Sequence, residues 1–197
     1  MLIDLLRTRW SVRQFQDKPI PEEILTEILE AGRLTPSTNN EQPWRFGVVT
    51  RRVLIEKLAD AAHKQQWMAH APLIIVLCAV VIEDERVKRD LQKRRFPRYA
   101  ETIDAMDRDF YAALTMAEHQ TKIAGTHMAL TAWEHGIGCT WVSRFDVRQV
   151  ADLLGVLDGW FPSEILVLGY PAEPPKLMEK KPLDEIVFRD RFIFGRR

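Results

Sequence analysis

The stretch "TPSTNNEQPWRF", residues 35–46, joins two elements of different kinds. Before it, apolar residues recur with the 3.6-residue period of a helix that opens at Pro21, and "RFGVV", residues 45–49, has the composition of a short strand. The stretch combines loop-forming residues with hydroxyl and carboxamide side chains, namely Ser37, Thr38, Asn39, Asn40 and Gln42. Carboxamides both donate and accept hydrogen bonds, as the edge of a heterocycle requires. The stretch therefore predicts either a plain helix-to-strand connection or a loop that binds a heterocycle.

The segments on either side predict helices that alternate with strands. Two amphipathic helices with core-facing apolar residues come first, around Leu2, Ile3, Leu5 and Leu6 and then around Ile24, Leu25, Ile28 and Leu29. After the first strand, Thr50 is placed to cap a third helix that carries Val53, Leu54, Leu58 and Ala62. The apolar run "APLIIVLCAVVI", residues 71–82, then predicts a buried strand.

The second half continues this alternation without a regular βαβ repeat. A charged surface stretch leads into a long helix predicted from about Asp104 to His135 and ended by Gly136. "GIGCTWVS" predicts a strand, and "VRQVADLL" a helix capped by Asp146 with Gln149 and ended by Gly155. "EILVLGY" predicts the last strand. The order predicts an α+β fold.

Composition limits the possible partners. A chain of 197 residues with 46% hydrophobic content predicts one domain, and equal numbers of basic and acidic residues, 28 each, exclude a strong overall field for nucleic acid or anionic membranes. The longest apolar run is shorter than the roughly 20 residues of a membrane span, and no secretory signal pattern opens the sequence. We therefore expect a cytoplasmic protein. Two isolated cysteines, Cys78 and Cys139, predict buried or semi-buried thiols, and we expect Trp67 to pack in the core or at an interface.

Two terminal features suggest binding. In "RTRWSVR", residues 7–13, the side chains of Arg9, Ser11 and Arg13 suit the oxygens of a phosphate monoester, although cationic side chains also collect at the last carbonyls of a helix. The C-terminal tail is rich in proline and then strongly apolar, at Ile186, Val187, Phe188, Phe192, Ile193 and Phe194. An apolar segment so late in the chain favours burial against a second subunit, hence a homodimer.

Four motifs in this order resemble the landmarks of the FMN-dependent nitroreductase family: "RTRWSVRQF", "TPSTNNEQPWRF", "GIGCTWVSRFD" and "LVLGYPAEPPKLMEKKPL". The likeness runs from about Leu2 to Val187, and the pattern Pro-Ser-x-x-Asn-x-Gln-Pro-Trp is its most specific part. It implies a nitroreductase-like fold, with a mixed, mainly antiparallel sheet flanked by helices. It also implies an intimate homodimer with an exchanged C-terminal segment, in which residues 1–197 form one domain, 83–111 a variable cap and 176–197 a tail that wraps the partner.

The resemblance also assigns candidate residues for FMN. Arg9 and Ser11 match positions that hold the phosphate and ribityl chain, and Arg13 either touches the flavin or braces the loop. Lys180 matches a basic residue that completes the phosphate site, with Lys181 as its alternative. The segment that meets the flavin from the other subunit corresponds to Pro36, Ser37, Asn40 and Gln42. The backbone near flavin N5 corresponds to Ser143 and Arg144. Trp10 and Thr38 lie inside these motifs and complete the candidate set.

Three departures from the family pattern are visible. Trp10 stands where the family often has Arg or His, and Arg144 replaces a common glycine. The Arg144 cation either steers an anionic nicotinamide cofactor or substrate, or points to solvent. "GTHMAL", from Gly125, replaces a common Gln-Asn pair.

His119, His127 and His135 recur every eight residues, which places them on different faces of a helix, so no metal site is predicted.

The resemblance implies an FMN-dependent oxidoreductase in which hydride passes from NADH or NADPH through flavin N5 to a nitroaromatic, quinone or similar small acceptor, in a ping-pong sequence. The flavin carries the chemistry, so no catalytic side chain is required. Two alternatives stay open. One is a specialised relative, such as a flavin-dependent dehalogenase, a ring-oxidising dehydrogenase or a flavin-fragmenting enzyme, and the other is a flavin-binding protein without turnover.

Overall fold

A four-stranded sheet forms the centre of the fold. The computed structural model describes residues 1–81, 89, 93–94, 97–106 and 116–190. The strands are β1 (Trp44–Val49), β2 (Leu73–Val80), β3 (Gly138–Val142) and β4 (Trp160–Gly169), in the spatial order β1-β2-β4-β3. All three strand pairs are antiparallel, and a single parallel bridge joins Ser11 to Cys139 in the described part of the chain. The predicted α+β class with a mainly antiparallel sheet is confirmed.

Helices cover both faces of the sheet. They are α1 (Leu2–Thr8), α2 (Glu22–Arg33), α3 (Arg52–Ala61), α4 (Ala100–Ala105), α5 (Met116–Glu134), α6 (Val147–Leu154) and α7 (Leu183–Ile186). Short 3₁₀ segments lie at Thr38–Asn40, Gln66–His70 and Pro97–Tyr99. No helix among the described residues has the length and apolar run needed to cross a membrane.

Alternation along the strands produces two buried cores. One face of the sheet, with Ile74 and Val76 of β2, packs with residues of α3, of α6 and of the 3₁₀ segment before β2. The other face, with Ile75 of β2, packs with α2 through Ile28 and with α5 through Met128. Because successive strand residues point to opposite faces, β2 and β4 read as continuous apolar runs that supply both cores.

Local signals placed α6 correctly. The Asp146 carboxylate accepts a hydrogen bond from the Gln149 backbone N–H at 2.9 Å, and Gly155 ends the helix in the left-handed region at φ 63°. The N-termini of helices α2 and α3 differ by one residue from the prediction. Pro21 is the cap before α2 and not its first residue, and Arg51, not Thr50, precedes α3, because the Arg51 carbonyl accepts the first helical hydrogen bonds.

The long helix predicted from Asp104 to His135 is wrong in its first part. Helix α4 ends at Ala105, and Met106 is extended, with ψ 133°. The continuous helix that packs against the sheet is α5, and Gly136, at φ 72°, lies just beyond its end as predicted. Residues 107–115, and most of the predicted cap 83–111, lie outside the described residues.

Helix α1 does not bury its apolar side chains within one chain. It packs against α5, where the Trp133 indole N–H donates to the Thr8 hydroxyl at 3.1 Å. No α1 residue is buried, and Leu2, Ile3 and Leu6 are exposed. The prediction that α1 faces the core is therefore wrong for the single chain, because only one side of this short helix meets a neighbouring element.

Candidate functional site

The segment Arg9–Arg13 lies against the edge strand β3. Ser11 forms the parallel bridge with Cys139, and the buried Thr140 hydroxyl donates to the Val12 carbonyl at 2.6 Å. Gly138 permits this approach, since a Cβ there would lie 2.6 Å from the Cβ of Val12. The backbone of the predicted phosphate cluster is thus held by β3.

Arg9 carries a guanidinium that no described residue satisfies. Its backbone N–H donates to Leu5 at the end of α1, but its half-buried side chain has no hydrogen bond or ion pair with a described residue. Burial raises the pKa of the neighbouring Cys139 thiol to about 12, and the positive charge of Arg9 acts in the opposite direction. Trp10 is buried, and its indole N–H has no partner among the described residues. The cluster therefore retains unused donors.

The amide-rich loop before β1 is held in a defined conformation by local hydrogen bonds. Asn39, Asn40 and Gln42 adopt positive φ values of 50°, 58° and 49°. The Ser37 hydroxyl accepts from the Gln42 backbone N–H at 2.9 Å, and the Gln42 amide donates to Asn40 at 3.3 Å. Non-glycine residues at positive φ carry strain that local hydrogen bonds must offset, so the loop is pre-organised.

A glutamine on α5 holds this loop, and no short motif in the sequence points to it. Gln120 is 9% exposed, and its amide oxygen accepts the Thr38 backbone N–H at 2.7 Å. Further along α5, the His127 ring lies 2.7 Å from the Thr35 hydroxyl. Pro36, Thr38, Asn40 and Gln42 are exposed, and Ser37 is half-buried.

The two predicted halves of the site lie at opposite edges of the sheet in one chain. Residues 9–13 attach to β3, whereas residues 36–42 lead into β1, and β2 and β4 lie between these strands. Three strand spacings amount to about 14 Å. Among the described residues, no hydrogen bond or ion pair joins the two groups within one chain.

Ser143 and Arg144, both exposed, follow β3 and lie beside the turn that ends α3. The Asp146 backbone N–H donates to the Ala61 carbonyl at 2.9 Å, and the Gln65 side chain donates to the Arg144 carbonyl at 3.4 Å. These bonds link the β3–α6 connection to the segment that continues into Trp67.

The same segment contacts the Arg9–Arg13 cluster. The Arg13 guanidinium carbon lies 5.7 Å from the centre of the Trp67 ring. Residues 63–67 thus connect Arg13 with Arg144, whereas the sequence predicts Trp67 only as a packing residue. No short motif identifies these contacts, because they join residues far apart in the chain.

The start of the tail is anchored beside the cluster, whereas the two lysines lie further on. Gln16 and Gln14 pair with the backbone at Tyr170, Pro171 and Ala172, at distances of 2.7–3.0 Å. Lys180 and Lys181 are exposed, and neither has a hydrogen bond or ion pair with a described residue. The structure places them in the same tail but does not join them to Arg9 or Ser11.

A charged cluster with two buried carboxylates lies at the other end of β3, and the sequence motifs do not reveal it. Lys122 forms ion pairs with Glu118 at 2.6 Å and Glu164 at 3.1 Å, and Ser163 donates to Glu118 at 3.3 Å. A register shift opposite Leu77 turns both Ser163 and Glu164 toward α5. Desolvation lowers the pKa of Lys122, but the two carboxylates outweigh it and the net pKa is raised.

This cluster borders a cavity of about 1040 Å³ that also reaches Ser143 and Trp160. The cavity has the size of a small-molecule site. Among the described residues, no group of histidine, cysteine and acidic side chains has the arrangement of a metal site.

Comparison with known proteins places this geometry in one family. The sequence profile of the "Nitroreductase family" matches residues 6–170 of this chain. A Thermus thermophilus protein named NADH dehydrogenase is 31% identical over 188 residues, which cover 91% of each chain.

Solved structures have the same fold. A nitroreductase family protein from Clostridium difficile is 27% identical, with a TM-score of 0.74 over 96% of this chain and 98% of its own. An FMN-dependent nitroreductase from another strain of that species, 23% identical, has a TM-score of 0.73 over 96% of this chain and 99% of its own. The chain belongs to the nitroreductase family.

Proposed function

We propose that this protein is an FMN-dependent oxidoreductase that accepts hydride from NADH or NADPH and reduces a nitroaromatic, a quinone or a similar small acceptor. Family membership supports the proposal, as do the names of two relatives, one an NADH dehydrogenase and one an FMN-dependent nitroreductase. The observation that carries it is the half-buried Arg9 guanidinium, held at β3 without a carboxylate partner among the described residues.

The chemistry of the Arg9 region fits a flavin phosphate. A guanidinium and a hydroxyl match phosphate oxygens, and Arg9 and Ser11 supply them on a backbone that β3 fixes. Lys180, or Lys181 in its place, would add a second cation from the tail. No described acidic side chain neutralises these groups, so the site is prepared for an anion.

The remaining candidate residues fit the flavin ring. Ser143 and Arg144 would line it near N5, and the amides of Asn40 and Gln42 would satisfy its polar edge from the second subunit. When bound, FMN supplies the two-electron redox chemistry. The residues of this chain bind and orient it, and no protein acid or base is needed.

A homodimer would complete the site, because residues 9–13 and 36–42 of one chain lie at opposite sheet edges. The surface supports such an assembly. The outer edge of β1 has no strand partner among the described residues, and a cavity of about 640 Å³ runs beside it. The exposed side chains of Leu183, Ile186 and Val187 would be buried if the partner's tail were exchanged into this region.

We also propose one domain over residues 1–197, with 83–111 as a cap over the substrate side and 176–197 as the exchanged tail. The residues 191–197, including the apolar Phe192, Ile193 and Phe194, lie outside the described part. Two free, buried thiols, Cys78 and Cys139, suit the reducing cytoplasm that we expect for this protein.

Identifying the bound flavin tests the proposal. The purified protein should be yellow and release about one FMN per chain on denaturation. If apoprotein is obtained, FMN should bind more tightly than riboflavin. Recovery of FAD, or a colourless protein that binds neither flavin, would contradict the proposal.

A further inference from the structure

Trp67 contacts a residue of the proposed cofactor site from a segment that the family motifs do not include. The centre of its half-buried ring lies 5.7 Å from the Arg13 guanidinium carbon and 6.4 Å from the centre of the Phe15 ring, which is tilted by 34° to it. No described residue forms an ion pair with Arg13. The indole face is therefore the one described group that orients this exposed guanidinium.

The indole is itself fixed in place. Met68, the next residue, is completely buried, and the Gln66 amide donates to Asp60 at 2.9 Å. The Gln65 side chain donates to the Arg144 carbonyl. Because Gln65 bonds to the Arg144 backbone and Trp67 contacts the Arg13 side chain, residues 65–67 link these two positions.

We propose that Trp67 is a positioning residue that holds Arg13 against the isoalloxazine of the flavin. This inference rests on the proposed function. Arg13 shares its supporting segment with Arg144, the residue expected near N5, so its guanidinium would face the ring and not the phosphate. Cation–π contact with an indole restrains a side chain that otherwise has many rotamers, and the restrained guanidinium binds the acceptor-rich ring edge at a lower entropic cost.

A double-mutant cycle tests this role. The affinities of FMN and riboflavin are titrated for the parent apoprotein, Trp67→Leu, Arg13→Gln and the double variant. Trp67→Leu should weaken both flavins by about twofold to fivefold, the range of an exposed cation–π contact. In the Arg13→Gln background, Trp67→Leu should have no further effect, because the group that it positions is absent.

Two variants serve as controls. Trp67→Phe keeps an aromatic face and should retain near-parental affinity. Lys18→Met removes another cation–π pair, in which the ammonium lies 3.9 Å from the Tyr170 ring centre, outside the proposed site, and should leave both affinities unchanged. Melting temperatures of all variants report any general loss of folding.

The outcomes separate the two proposals. Equal losses from Trp67→Leu with and without Arg13, or no loss at all, would overturn the positioning role of Trp67. A loss for FMN without a loss for riboflavin would place Arg13 at the phosphate and would also overturn it. A parent protein that binds neither flavin would instead refute the proposed function.

Discussion

Replacing Arg9 by alanine separates a phosphate ligand from a helix-end residue. The Arg9 side chain is half-buried, and no described carboxylate competes for its N–H groups. A hydrogen bond to a charged group contributes about 1.5–3 kcal/mol, and partial exposure favours the lower half of that range. A loss of about 2 kcal/mol raises the Kd of FMN about thirtyfold. The Arg9 backbone hydrogen bond to Leu5 survives the substitution, so the melting temperature should change little.

The assay is fluorescence titration of FMN and of riboflavin into apoprotein at constant ionic strength. Riboflavin lacks the phosphate, so Arg9→Ala should leave its affinity unchanged. Arg7→Ala is the matched control, because Arg7 lies in the last turn of α1, is exposed and pairs with Asp4 at 3.3 Å. It removes the same charge two residues away and should affect neither flavin. Parallel losses for both flavins, or an unchanged FMN affinity, would remove Arg9 from the phosphate site.

Three further predictions concern stability, thiols and the tail. Lys122→Met removes the cation that pairs with Glu118 and Glu164 and should cost about 2 kcal/mol, lowering Tm by about 4–8 °C at neutral pH. Because the folded-state pKa of Lys122 is raised, this difference should fade as the pH rises through that pKa, and an unchanged Tm would contradict the prediction. Burial raises the pKa of Cys78 to about 11 and that of Cys139 to about 12, so neither should react with iodoacetamide near neutral pH in the folded protein, and rapid alkylation would refute this. Deleting residues 184–197 should make the protein insoluble, because the tail covers apolar surface of the dimer, and a soluble, flavin-loaded monomer in sedimentation would contradict this prediction.

The sequence predicted elements that depend on local chemistry. Helix α6 has its cap at Asp146 and its stop at Gly155, and the strands follow runs of apolar residues. The sequence-based predictions were wrong where burial or a helix end depends on which elements pack nearby. The exposure of α1 reflects what packs against it, and the end of α4 at Ala105 falls within a segment whose apolar pattern continues. The periodicity of apolar residues alone predicts neither the exposure of α1 nor the end of α4.

In the candidate site, too, the sequence predicts what depends on adjacent residues and not what depends on contacts between distant ones. Short motifs predict Arg9, Ser11 and the amide loop as candidates, because their residues are adjacent in sequence. The contacts that hold them join distant residues, as when Gln120 accepts from Thr38 and Trp67 lies against Arg13. Such pairs leave no trace in a single sequence, so these supporting residues required the fold.

Anaerobic reduction of the flavin-loaded protein tests the central claim most directly. On addition of NADH or NADPH, the yellow absorbance of the oxidised flavin should bleach, and a nitroaromatic or a quinone added afterwards should restore it. Both half-reactions should be lost when the flavin is removed and recovered when FMN is added back. A bound flavin that neither nicotinamide bleaches would contradict the account and leave a flavin-binding protein without this turnover.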